Sequence, residues 1–144
     1  MLYAKSGNDY IVRLEMGEEV LESMKAFMDH TGIQSASVNG IGAAGKAVLG
    51  VYDPERKKYD QQTLEGKMEI VSLNGNLTRM NGEAYVHLHG AVSDATLRVT
   101  GGHVLELRIS LTAEIFIRTL EVKTDRKKSE EFGINLIENL EKIR

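Results

Sequence analysis

Alternation of apolar and polar residues dominates this chain, with one interval of helical spacing near the start. Met1 to Arg13 reads as a first strand, and Tyr10, Val12 and Leu14 alternate with polar neighbours. Gly17-Glu18-Glu19 then opens a helix, with acidic residues in the first turn, where the helix dipole favours them. Val20, Leu21, Met24, Phe27 and Met28 form one apolar stripe, and Gly32 ends the helix. Ile33 to Asn39 and Lys46 to Tyr52 predict two short strands. From Lys67 onward come strands over Met68–Leu73, Tyr85–Val92, Val104–Thr112 and Ala113–Val122. Asn74-Gly75 and Asn81-Gly82 are tight-turn dipeptides and predict hairpins. After Thr124 the chain turns charged. Ser129 to Arg144 predicts a final helix with Phe132, Leu136, Ile137 and Leu140 on one side, although Gly133 weakens it. The pattern predicts one α+β domain over residues 1–144, a largely antiparallel sheet with one or two helices packed on it.

Composition narrows the class. The chain has 144 residues, enough for one core. Its 18 basic and 21 acidic residues give a net charge of −3, so the totals do not supply the basic surface that phosphate backbones call for. With no cysteine, disulfides and thiolate metal sites are excluded. The first residues lack the apolar core of a signal peptide, and no window approaches the ~18 apolar residues of a membrane span. The expected location is the cytoplasm.

The candidate chemistry lies between Tyr85 and His103, which holds three of the four histidines. In a strand, His87 and His89 point to the same face, with Cα atoms roughly 6.5–7 Å apart. Ser93-Asp94-Ala95 predicts a turn, after which the chain returns to Gly101-Gly102-His103. If the two segments pair, His103 reaches the other two rings. Three neutral imidazoles with a fourth position open make a catalytic-type zinc arrangement. The same residues also suit surface or packing positions, and the pattern leaves both readings open. His30, in the last turn of the helix, reads as structural or solvent-facing.

Gly40-Ile41-Gly42-Ala43-Ala44-Gly45 has the spacing of a dinucleotide fingerprint. That site needs a helix immediately after the glycines, and here a strand follows. The glycines instead suit a close approach of backbone to backbone or to a ligand. Arg13, Glu69, Arg108 and Glu114 lie within or beside predicted strands. Each suits the solvent face of a sheet; one facing a metal could bind an anion or act as an acid or base.

Taken in order, several segments resemble the plant and prokaryote conserved (PPC) domain. They are Arg13-Leu14-x-x-Gly17-Glu18-x-Val20, Val38 to Ala43, Leu49 to Tyr52, Met68 to Asn76, His87-Leu88-His89, Gly101-Gly102-His103 and Thr112 to Ile115. The resemblance implies the stand-alone prokaryotic type, because no AT-hook is present. It implies a strongly curved mixed sheet with flanking helices, similar to acetolactate decarboxylase, and a homotrimer. It implies zinc or another divalent metal on His87, His89 and His103, with a small anionic ligand. It also implies a link to DNA, which plant members contact through AT-hooks. The plant partner-contact motif Gly-Arg-Phe-Glu-Ile-Leu appears here as Gly66-Lys67-Met68-Glu69-Ile70-Val71, with its arginine and phenylalanine replaced. If the domain is an enzyme, the analogy suggests a zinc lyase acting on a small carbonyl or carboxylate compound. Arg13 or Glu114 would then orient the anion or move a proton.

Overall fold

The computed structural model describes residues 1–143. The first strand is two strands, β1 (Leu2–Ser6) and β2 (Asp9–Glu15), folded back at Gly7. In β2, Tyr10, Val12 and Leu14 are buried and the intervening residues exposed, as period-two alternation requires. Helix α1 (Val20–Thr31) buries Val20, Met24, Phe27 and Met28 and ends at Gly32 in the left-handed conformation. Glu19 caps its start: one carboxylate oxygen accepts from the Glu22 amide at 2.8 Å, and the other accepts from the Leu107 amide at 2.9 Å. One side chain thereby fixes the helix to the sheet.

The remaining sheet is built from fewer and longer strands than the sequence predicts. Ile33–Asn39 and Lys46–Tyr52 fall largely within one strand, β3 (Ala36–Asp53), which runs straight through the glycine-rich segment. β4 (Lys58–Met80) contains Asn74-Gly75 in its interior, so the predicted turn there is absent. Asn81-Gly82 does form the two-residue turn, with both φ angles positive, and leads into β5 (Glu83–Ser93). Val104–Thr112 and Ala113–Val122 belong mostly to one strand, β6 (Val99–Thr119). The predicted final helix is not formed. Ser129 instead begins a turn that leads into β8 (Asn135–Ile137), which pairs antiparallel with the preceding β7 (Arg126–Lys128); Arg144 lies outside the described residues. Gly133, in the left-handed conformation at φ 75°, breaks the helical period that the apolar residues suggested.

The large sheet runs β1-β2-β6-β3-β4-β5, and β5 also pairs with β6. All the pairings are antiparallel, in line with the largely antiparallel sheet predicted, and among the described residues one helix, of the one or two predicted, lies against the sheet. The second pairing bends β3, β4, β5 and β6 back on themselves. Register shifts at Gly40/Gly42 and Ala44/Lys46 supply the curvature. The glycine motif has a packing role here. A Cβ on Gly42 would lie 2.5 Å from the Thr112 carbonyl oxygen and 2.6 Å from the Ala113 Cα. No helix of the described residues is long and apolar enough to cross a membrane.

A buried arginine secures the helix from its other end. Arg79 donates to the Ile33 carbonyl at 2.9 and 3.1 Å, to the Met28 carbonyl at 3.0 Å and to Asp29 Oδ1 at 2.7 Å. A cation at the negative end of α1 also has the favourable sign. Arg79→Ala should cost about 2–4 kcal/mol, because it orphans buried carbonyls. Chemical denaturation measures this; a loss within ~0.5 kcal/mol would show that the network contributes little.

Candidate metal centre

Alternation along β5 sends Leu88 into the core, fully buried, and turns His87 and His89 to the other face. His103, near the start of β6, is the direct cross-strand partner of His89, so it emerges on the same face. The three ring centroids stand 5.3, 5.0 and 5.3 Å apart. Each ring offers a nitrogen, and the three nitrogens lie within 4.8 Å of one another. On its other side His103 pairs with Gly50, and the Tyr59 ring stacks on the imidazole at 4.6 Å and 23°.

The donor set fits a divalent ion. The Nδ1 of His103 is buried and has no hydrogen-bond partner, an arrangement that costs free energy unless something ligates or bonds to it. Burial, and then the neighbouring His87 and His89, push the His103 imidazole down to about 4. Burial also lowers His87, followed by the Arg126 charge and His89. Both rings are therefore neutral at neutral pH, the form a metal requires.

A pH effect follows for metal-free protein. The unfolded chain binds a proton at His103 near 6.5, the folded protein near 4. In that window the unfolded state carries the extra proton, so stability falls as pH falls. Thermal melts across the window should show the decline, and His103→Asn should reduce its slope. An equal slope in the variant would assign the decline to other groups.

The rings open into a cavity of about 640 Å³, within the range of small-molecule sites. Tyr59, Tyr85, Lys57, Lys58 and the segment Gly133 to Asn135 share its lining. Tyr85 was legible in principle, since it precedes His87 by two and so faces the same way. Tyr59 was not, because its position depends on the β3–β4 register. Arg13 and Glu114 face each other across β2 and β6 and do not line the cavity; the chain does not bring them to the histidines. His30 stands apart on α1, with Nε2 3.0 Å from the Tyr3 hydroxyl, a structural position as expected. Glu69 and Arg108 are likewise absent from the cavity lining.

Fold and site together define a class: curved antiparallel sheets with a helix packed against them and three imidazoles converging from two adjacent strands. The family model "Plants and Prokaryotes Conserved (PCC) domain" matches residues 1–121, and the chain belongs to that family. A Pyrococcus horikoshii plant- and prokaryote-conserved protein is 34% identical, covers 97% of this chain and 96% of its own, and has a TM-score of 0.87. A Bacteroides thetaiotaomicron protein provisionally described as DNA-binding is 34% identical over 95% and 96% of the two chains, with a TM-score of 0.91. An Archaeoglobus fulgidus protein described as metal-containing is 26% identical over 96% and 99%, with a TM-score of 0.83. Acetolactate decarboxylase from Bacillus subtilis shares the fold, at 16% identity over 85% of this chain and 57% of its own, TM-score 0.55. A Synechococcus protein, "Bifunctional protein GlmU", is 31% identical over 121 residues; the match spans 82% of this chain but 18% of that relative's length.

Proposed function

We propose that this protein binds a divalent metal, zinc by preference, on His87, His89 and His103, and presents it to a small anionic ligand. The observation that carries the reading is the convergence of three ligand nitrogens within 4.8 Å, on rings that include the buried, unpartnered His103 Nδ1. The metal-containing Archaeoglobus relative supports it. A zinc ion in such a site acts as a Lewis acid, polarising a carbonyl or acidifying bound water. The chain's own part is positional. Tyr59 braces the His103 ring, and the walls of the cavity restrict access to one side. A lyase-like reaction on a small carbonyl or carboxylate compound suits that arrangement. The test is elemental analysis of purified protein, which should find about one metal per chain; protein that takes up none after incubation with zinc ends the reading.

A homotrimer belongs to the same proposal. Ile11, Ile41 and Phe116 lie exposed on the outer face of the sheet, with Ile11 and Phe116 paired across β2 and β6. Further copies of the chain would cover them. Arg13 and Glu114 share that face, so any role of theirs beside the metal runs across a subunit boundary. The provisional description of the Bacteroides neighbour favours a second reading, DNA association. That binding should weaken steeply with salt, and no gel shift even at low salt disposes of it.

A further inference from the structure

The C-terminal segment lies beyond the residues matched to the family, yet it closes one side of the histidine cavity. It is tied down at both ends. At one end Arg126, 6% exposed, donates to Thr78 Oγ1 at 2.8 Å, to Asn76 Oδ1 at 2.8 Å and to the Asn135 carbonyl at 2.6 Å. Its guanidinium also lies 4.6 Å from the centre of the Tyr85 ring. Asn76 is the cross-strand partner of His87, so this arginine ties the tail to β4 directly beside the histidine strand. At the other end the Tyr52 hydroxyl donates to the Phe132 carbonyl at 2.7 Å, and Lys57 Nζ donates to the Glu130 carbonyl at 2.5 Å. Beside the Arg126 tie, Asn135 Nδ2 donates to the Tyr85 hydroxyl at 3.3 Å on the cavity wall. Burying a guanidinium is costly unless its donors are satisfied, and here they are satisfied by groups that hold this wall in place.

The charges of the cavity point to what it takes. Among the described residues its lining holds Lys57 and Lys58 and no carboxylate. Lys57 is engaged by the tail; Lys58 makes no ion pair among the described residues. A divalent ion at the histidines would add further positive charge at the far side. We infer that this cavity, walled on one side by the Arg126–Ile137 segment, takes a small organic dianion, one acid group directed to the histidine centre and the other to Lys58. This rests on the metal reading above for the first of those ends and on Lys58 and the tail for the second. Arg126 is a positioning residue: it touches Tyr85 and Asn135, not the ligand.

Cobalt(II)-loaded protein, whose visible spectrum responds to ligands at the metal, tests the idea. Acetate is titrated against malonate, succinate and glutarate. At least one diacid should bind about tenfold or more tightly than acetate, the size of effect a charge-assisted contact gives. Lys58→Gln should bring that ratio close to one without changing cobalt content, and Lys58→Arg should restore it. Arg126→Met should lower diacid affinity at unchanged cobalt content; should that variant not fold, the two Lys58 variants decide alone. Equal affinities for acetate and every diacid, or an unchanged ratio in Lys58→Gln, overturn the proposal. Failure to take up cobalt strikes at the metal reading instead. The second end is then read in metal-free protein by tyrosine fluorescence. A diacid response lost in Lys58→Gln supports the Lys58 end of the site, and no response overturns it.

Discussion

His103→Ala protein is expected to lose metal affinity by more than about a hundredfold, beyond what removal of a group behind a ligand costs. His103 is the one imidazole contributed by β6, and its Nδ1 is the buried nitrogen without a partner. Deleting it leaves two ligands from one strand, and two neutral rings do not enclose an ion. Fold should survive in the metal-free variant, because the orphaned nitrogen leaves together with the ring. Two measurements check this. Metal content after dialysis should drop to background, whereas His30→Ala should match the parent protein. Added zinc should raise the melting temperature of the parent, since a ligand at a hundred times its Kd contributes about 2.7 kcal/mol. The variant should show no such rise. A His103→Ala protein that retains metal as the parent does would falsify the tri-histidine centre.

The second large effect is expected at Gly75. A Cβ there would lie 2.0 Å from the His87 carbonyl oxygen and 2.9 Å from the Leu88 Cα, both backbone atoms that cannot swing aside. Gly75→Ala must therefore push β4 and β5 apart along a register that includes Asn74↔His89 and Asn76↔His87. The strain should destabilise the protein by about 3 kcal/mol or more, in the range of severe overpacking. Metal affinity should fall with it, because His87 moves. A denaturation midpoint unchanged from the parent would show that the strands accommodate a methyl group freely. Gly82→Ala makes an informative comparison: no atom lies within 4 Å of its added carbon, so its cost is confined to the positive φ of the turn.

These residues also show what the sequence could and could not reveal. Periodicity found the helix and the face of β5 that carries His87 and His89, because both depend on local spacing. It misread Asn74-Gly75 as a turn. The dipeptide suits one, but β3 and β5 flank it on either side and hold it extended. The direct pairing of His89 with His103 was conditional on strand register, which no local pattern states. The tail was misread for a similar reason. Phe132, Leu136, Ile137 and Leu140 recur at near-helical spacing, yet Arg126 and Tyr52 hold the segment through side-chain contacts that spacing does not encode. Arg126, Tyr59 and Lys58 stayed out of view because their importance arises only when distant strands meet.

The strand order carries a consequence for how the protein is made. β2 finds its second partner in β6, so Arg13, already opposite Leu2, waits for Glu114 about a hundred residues later before its other edge can close. A nascent chain can form the β1–β2 and β4–β5 hairpins as it emerges from the ribosome, but the other edge of β2 stays unpaired until nearly the whole sequence is out. Such non-local pairing places the domain among slow folders, milliseconds to seconds, and leaves the apolar residues of β2 exposed to chaperones throughout synthesis.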